Sequence, residues 1–342
     1  MLRNPLVLLA LLVIGSGCSE PPPSRGLANE PPSVDALTSD PKLQFVGNWE
    51  LVGRERITAD GELLPTPDPP LLGADGEVGY IMYDVAGYMG VVIMPPGRPT
   101  YASAEPTAEE AMGTLGGTRT LGNWSLGTYT SYFGTYTVHE EEGYLIHHRI
   151  GHINPAQMGT DAQRFYQFVG NQLILTPPPD GSGIKRRLTW QRVPDLPKAE
   201  LTETHRRLFG FYRFSDITRT TTNGESLLTE QWDNAFVIYM SSGHMAVHLS
   251  RQDRPVYTGA PTPEQALQAV ETYGSYFGPF SVHEEEGYLV HHRIGHTNPG
   301  QVGTDAQRFF ELSDTSLTLR PPPQMVEGRE LQSVITWKRI SQ

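Results

Sequence analysis

The chain matches itself. Sliding the sequence along its own length aligns Ser131 to Pro179 with Ser275 to Pro323 at one offset of 144, and 33 of the 49 aligned positions are identical. The match continues upstream with gaps, setting Tyr83, Gly87, Met89, Arg98, Pro99 and Tyr101 over Tyr239, Gly243, Met245, Arg254, Pro255 and Tyr257. Further up, Gly47-Asn48-Trp49 meets Gly210-Phe211-Tyr212, and downstream Trp190 meets Trp337. A repeat this long exceeds a solenoid unit, so each copy is read as one globular domain. The expected organisation is a signal segment at 1–18, a tether at 19–42, a first domain at 43–193, a Pro-rich linker at 194–200 and a second domain at 201–342.

Local signals within each copy are those of strands. Segments rich in Tyr, Phe, Val, Ile and Thr are separated by Ala59-Asp60-Gly61, Asp84 to Gly87, Glu142-Gly143 and Gly170-Asn171, which read as hairpin turns. Several short strands at this spacing predict an antiparallel barrel or sandwich. One short helix interrupts each set. Thr262-Pro263-Glu264-Gln265 supplies an N-cap, a proline at the first helical position and a capping-box partner, and Thr107-Ala108-Glu109-Glu110 does the same in the first copy. Gly113 to Gly122 has no counterpart in the second copy and reads as a loop insertion.

The N-terminus carries an address. Arg3 precedes an apolar run from Leu6 to Ile14 that ends in Gly15-Ser16-Gly17-Cys18, the layout of a secretory signal, with a run too short to span a bilayer. Small residues immediately before the chain's single cysteine predict lipidation of Cys18, although Gly15 stands where such motifs usually carry Leu; an ordinary cleaved signal is the alternative. Ser19, not Asp, follows the cysteine, which points to an outer-membrane lipoprotein of a bacterial cell envelope, facing the periplasm or the cell surface. Ser19 to Lys42 is Pro-, Ser- and Glu-rich and reads as a spacer. With that one cysteine used, no intrachain disulfide or Cys-based metal site is expected, and a net charge of -12 argues against nucleic acid as a partner. No metal and no cofactor are expected.

The chain resembles the bacterial and fungal lipocalin-like domain family. The resemblance rests on Gly47-Asn48-Trp49-Glu50-Leu51, Gly79-Tyr80-Ile81-Met82-Tyr83, Gly134-Thr135-Tyr136, His147-His148, the Gly159-Thr160-Asp161 segment with Gln163-Arg164-Phe165, and Leu188-Thr189-Trp190. It implies an all-β chain of two tandem antiparallel calycin-type barrels, each with one short helix. It also implies that Trp49 plugs the closed end of the first barrel with Arg192 packed over it, and that Tyr212 and Arg339 do so in the second. Tyr212 in place of tryptophan departs from the pattern and predicts a smaller plug.

Eight of the eleven histidines form two matching arrays, His139, His147, His148 and His152, then His283, His291, His292 and His296. On a strand, Tyr144, Ile146, His148 and Ile150 share one face and Leu145, His147 and Arg149 the other. The more apolar face predicts His148 and His292 inward; His147 inward also fits, and a bulge would exchange the faces. Arg164 and Arg308 are placed inward with the aromatics, needing a partner such as Asp161, Tyr136 or a ligand carboxylate. These arrays read as a polar network that fixes strand register, as the polar end of a ligand site, or as metal-binding or acid-base groups at His147, His148 or His152. For the ligand site the candidates are Tyr136, His147, His148 and Arg164, with Phe280, His291, His292 and Arg308 in the second copy. The favoured function is an envelope protein holding a small apolar or amphipathic molecule in each barrel. The alternatives are a barrel-lumen isomerase, cyclase or hydrolase with a histidine as acid or base, and a structural surface protein with dry barrels. No catalytic residue is assigned, since no Ser-His-Asp motif, nucleophile elbow or phosphate-cradling glycine loop is visible. Glu140-Glu141-Glu142 reads as a solvated hairpin tip, and each Pro-Pro-Pro run as a stiff loop.

Overall fold

A computed structural model describes residues 40–341, apart from 65–75, 96, 104, 116–128, 180, 182, 228–231 and 327. Cys18, the signal segment, nearly all of the tether and most of the insertion after Gly113 lie outside the described residues. Barrel 1 is an up-and-down meander of β1 (Gly47–Ile57), β2 (Val78–Tyr83), β3 (Tyr88–Met94), β4 (Thr130–His139), β5 (Tyr144–His152), β6 (Asp161–Val169), β7 (Gln172–Thr176) and β8 (Lys185–Arg192). Antiparallel pairing of β1 with β8 closes it, leaving no free edge.

Barrel 2 repeats the order with β9 (Gly210–Thr221), β11 (Asn234–Tyr239), β12 (His244–Ser250), β13 (Tyr273–His283), β14 (Tyr288–Arg293), β16 (Thr304–Leu312), β17 (Ser316–Arg320) and β19 (Arg329–Ser341). Pairing of β19 with β9 closes this barrel, and β10 (Ser226–Leu227), β15 (Gly295–His296) and β18 (Gln324–Val326) are short additions. Helix α1 (Ala108–Leu115) interrupts barrel 1, α2 (Glu203–Leu208) leads into barrel 2 and α3 (Pro263–Glu271) interrupts it. Thr262 caps α3 through a complete capping box with Gln265, and Glu110 Oε2 accepts from Thr107 N at 2.7 Å ahead of α1. No described helix is long and apolar enough to cross a membrane.

Two kinds of core account for the long apolar runs. In β2, Ile81 and Tyr83 point into barrel 1, whereas Tyr80 and Met82 point outward and are equally buried. In β11, Val237 and Tyr239 point into barrel 2 while Phe236 and Ile238 point out. The outward sets meet, with Phe133 and Phe277, in a core shared by both barrels. Strands buried on both faces read as unbroken apolar segments, which explains why alternation fails there.

The shared core is built on a pseudo-twofold. Tyr129 OH lies 2.9 Å from Ser275 Oγ, and Tyr273 OH lies 2.8 Å from Ser131 Oγ, the same pair exchanged. Arg98 donates to the carbonyls of His296 and Thr297, both at 2.7 Å, while its counterpart Arg254 donates to those of His152 and, at 2.6 Å, Ile153. Ala111 of α1 and Ala266 and Val270 of α3 pack together as a third reciprocal contact. A residue of one copy meets in the other the repeat mate of the residue that its own mate meets, as in an isologous dimer interface, here fused into one chain.

Two neighbouring positions depart from this symmetry. Val92 on β3 corresponds to His248 on β12, and Gly90 corresponds to Ala246. His248 Nδ1 sits 3.1 Å from Ser131 Oγ, and its Nε2 is buried without a hydrogen-bond partner among the described residues. A Cβ placed on Gly90 would stand 2.8 Å from that Nε2 and 2.8 Å from Ile238 Cδ1, so the histidine is one of two side chains matched to the glycine. Gly90→Ala alone is expected to cost about 1–3 kcal/mol by overpacking. In the His248→Val background the same change should cost at least about 1 kcal/mol less, as a double-mutant cycle by chemical denaturation would measure. Additive effects would show that the two positions are not matched.

Candidate functional site

Each barrel has a floor. Phe45 is fully buried and packs edge-on against Tyr83, Tyr166 and Phe168. Over it, Arg192 Cζ lies 4.0 Å from the Trp49 ring centroid, and Arg192 Nη1 donates to Val46 O at 2.6 Å. Trp49 Nε1 donates to Phe45 O at 2.7 Å. In barrel 2 Arg339 Cζ lies 4.7 Å over the Tyr212 ring, and Tyr212 OH donates to Leu208 O at 2.9 Å. A guanidinium over an aromatic face, held by backbone carbonyls, keeps this end shut.

Above the floor stands a histidine clamped by two tyrosines. His147 is fully buried, with Tyr83 OH 2.8 Å from Nε2 and Tyr132 OH 3.0 Å from Nδ1. Barrel 2 repeats this with His291, Tyr239 at 2.7 Å and Tyr276 at 3.0 Å. Burial, reinforced by the neighbouring Arg164 and Arg149, holds the His147 pKa well below the usual histidine range, so the ring is neutral. A neutral imidazole donates from one nitrogen and accepts at the other, and both are engaged by the tyrosines. No ring nitrogen is therefore left to exchange protons with a substrate. Tyr136 OH donates to Asp84 O at 2.7 Å; Phe280 has no hydroxyl and packs on Tyr239 at 5.1 Å instead.

His148 and His292 do not face the lumen. They lie on the outer surface, where His148 Nδ1 is 2.7 Å from Asp161 Oδ1 and His292 Nδ1 is 2.8 Å from Asp305 Oδ1. The inward assignment fails because the apolar face that suggested it includes Ile150, which packs against the inter-barrel core. Asp161, engaged outside, is no partner for the lumen-lining Arg164, whose Nη1 donates to Gln163 O at 2.8 Å. A β-bulge follows Phe133 in the β4–β5 pairing, opposite Ile150, and it carries His152 back to the inner face. There His152 stacks on Tyr132 at 5.5 Å and 8°, as His296 stacks on Tyr276 at 5.6 Å and 4°. His148 and His152 thus point to opposite sides of the wall, and among the described residues no three His, Cys, Asp or Glu side chains converge on a metal position.

Folding also assembles an arrangement invisible in the linear sequence. Ser281 Oγ lies 3.1 Å from His292 Nε2, which extends through the ring to Asp305; Thr137, His148 and Asp161 match it in barrel 1 at 3.1 Å. The order of groups is that of a nucleophile, base and acid. It sits on the outer face of the sheet, on strands whose backbones are paired with one another in the ladder. The chain of hydrogen bonds is a cross-strand tie between β13, β14 and β16.

At the end of barrel 1 opposite the floor is a hollow of about 120 Å³. Ile81, Val91, Ile93, Leu175, Leu188 and Trp190 form its apolar wall, and Arg54, Arg164, Arg186, Tyr132 and Thr130 supply its polar groups. Arg54 Nε pairs with Glu77 Oε2 at 3.0 Å, and both side chains are more than nine-tenths buried. Burial lowers the Arg54 pKa against the opposing pull of Glu77, and burial raises that of Glu77 against the pull of Arg54.

Arg54, Arg186 and Glu77 were not among the sequence candidates. Arg186 shares strand parity with Leu188 and Trp190, a signal that could have found it. Arg54 has no such signal, because a bulge at Val52 shifts the β1 register between Leu51 and Gly53 and turns Arg54 inward. Of the candidates, the hollow brings in Arg164 alone; Tyr136, His147, Phe280 and His291 are internal struts, Arg308 is part-buried on β16, and His148 and His292 lie outside.

Two closed eight-stranded antiparallel barrels, each floored by an arginine over an aromatic ring, define the class of calycin-type barrels. The chain belongs to the lipocalin-like domain family, whose model matches residues 46–193 and 231–340. Among curated proteins, none matches its sequence. Similar solved structures include a protein of unknown function from Nostoc punctiforme, at 9% identity over 87% of this chain and 97% of that one, with a TM-score of 0.22. A variant of the fluorescent protein UnaG is similar at 13% identity over 44% of this chain and 96% of its own, with a TM-score of 0.21. Transferrin binding protein B of Neisseria meningitidis is similar at 7% identity over 86% of this chain and 76% of its own, with a TM-score of 0.20.

Proposed function

We propose that this chain is a lipid-anchored protein of a bacterial cell envelope, tethered through Cys18, and that its barrels hold small amphipathic molecules. The observation that carries the binding reading is the hollow of about 120 Å³ in barrel 1, with an apolar wall and arginines at its polar side. Pockets for drug-sized ligands run from about 300 Å³ upward, so the occupant is a small molecule or one end of a longer one. Clamped His147 and His291 serve as rigid supports beneath the site, not as acid or base. The anchor and the envelope location rest on the leader, with its apolar run closing on Gly15-Ser16-Gly17-Cys18.

Native mass spectrometry of the chain purified from membranes of its own host tests the proposal as a whole. The expected spectrum shows a mature chain beginning at an acylated Cys18 and carrying up to two non-covalent small molecules. An unacylated chain overturns the anchor, and empty barrels in every preparation overturn the binding reading.

A further inference from the structure

The two barrels share an unanswered donor. Trp49, the plug of barrel 1, donates its indole N–H to Phe45 O. Trp190 and its repeat mate Trp337 differ: both are almost fully buried, and among the described residues neither Nε1 has a hydrogen-bond partner. Leaving a buried donor unmade costs about 1–3 kcal/mol, and a buried indole N–H ordinarily finds an acceptor. The omission falls at the same register position in both copies, opposite Leu173 and Leu317, and Trp190 lies on the wall of the hollow.

A second donor follows from the histidine clamp. Tyr83 is fully buried, and among the described residues its hydroxyl meets only His147 Nε2, so its proton is satisfied by donation to that nitrogen. The neutral ring then carries its proton on Nδ1 and donates to Tyr132 OH. The spacing agrees in both copies: 2.8 and 2.7 Å on the Nε2 side, and 3.0 Å on the Nδ1 side, the ordinary length of an N–H to oxygen bond. Tyr132 is left with a hydroxyl proton to place, and it too lines the hollow.

We infer that the hollow of barrel 1 takes a small neutral carbonyl compound, a ketone or ester, whose oxygen accepts from Trp190 Nε1 and Tyr132 OH while its alkyl part lies along Ile81, Val91 and Leu175. This rests on the reading that the hollow takes up a small molecule, and adds the group by which that molecule is recognised. A carbonyl oxygen has two lone pairs and no proton of its own, so it can accept from both donors. Both donors are uncharged, and no ion has to be stripped of water to reach them. Arg54 and Arg186, on the same wall, already have partners within the protein. A hydrocarbon would leave the indole and the phenol unanswered. A hollow of about 120 Å³ corresponds to roughly four waters at about 30 Å³ each, the scale of a four-carbon ketone.

The indole N–H resonances of the isotopically labelled full chain test this, with the Trp190 signal assigned by through-bond correlation so that the reading does not depend on a variant that folds. The probes are 2-butanone, 2-methyl-1-butene, which has the same shape without the oxygen, and butyrate. The ketone is expected to move the Trp190 signal downfield, as an N–H moves on meeting an acceptor, and the alkene to bind without that shift. Trp190→Phe and Tyr132→Phe should each weaken the ketone about three- to tenfold relative to the alkene. A ketone that binds without moving the Trp190 signal, or that loses nothing in either variant, overturns the inference while leaving an occupied hollow. Butyrate binding tighter than the ketone overturns the neutral carbonyl assignment. Absence of binding by ketone and alkene alike counts against the underlying binding reading as well.

Discussion

Acidification is expected to unfold this chain cooperatively between about pH 6 and pH 4, with an uptake of about five protons, because five buried histidines must charge. Burial places His147, His152 and His291 well below the ordinary histidine pKa, and pushes His248 and His296 down to about 3. In the unfolded chain the same groups titrate near 6.5. Below that pH the unfolded state binds more protons than the folded one, so stability falls as pH falls and the loss continues toward the folded pKa values. At full difference each histidine contributes about 1.4 kcal/mol per pH unit, so five together approach about 7 kcal/mol per unit, against a typical total stability of about 5–15 kcal/mol. Glu77 and Asp84 act the other way, since burial raises both and they take up protons first in the folded chain. Two carboxyls offset only part of five imidazoles. Tryptophan fluorescence and potentiometric proton uptake across the transition provide the check, and a chain still folded at pH 4 without excess uptake would refute it. His248→Val should reduce the uptake by one proton.

Gly134→Ala is expected to destabilise the chain by about 3 kcal/mol or more, and Gly278→Ala to do the same in barrel 2. A Cβ at Gly134 would stand 1.9 Å from His148 O, and one at Gly278 would stand 1.9 Å from His292 O. Neither carbonyl is the yielding end of a side chain; they belong to backbone beside the step in pairing after which His152, and His296 in barrel 2, face inward. The space on the far side is closed as well, because Gly151 and Gly295 receive the rings of Phe133 and Phe277 where a Cβ would lie within 2.2 Å and 2.1 Å of Cε1. Gly113→Ala in α1 is the control, with nothing within 4 Å of its added Cβ, and should stabilise by about 0.5–1 kcal/mol. Urea midpoints of the three variants give the comparison. If Gly134→Ala and Gly113→Ala moved the midpoint alike, the close backbone approach would be unimportant.

Apart from His248, both results concern the segment that the two copies share most closely, from Ser131 to Pro179 and its repeat. That agreement has a structural cause on each side of the wall. Inside, it preserves the histidine clamped by tyrosines and the stacked pair above it; outside, it preserves the His–Asp tie and the residues facing the other barrel. Looking for agreement between copies therefore found the scaffold. The hollow was passed over because Arg54 and Arg186 are points of disagreement, replaced by Ile217 and Ser333.

From the residues alone came the duplication, the β architecture and the capped helices, all set by local pattern or by repetition, while the family resemblance implied the pairing of Trp49 with Arg192 and of Tyr212 with Arg339. Which side of the wall a residue occupies was decided only in three dimensions. One extra residue at Val52 and another at Ile150 reverse the two-residue alternation beyond them, bringing Arg54 and His152 inside. An apolar side chain, moreover, carries no mark of which core it will enter, and here two barrel interiors and the surface between them compete for the same kinds of residue.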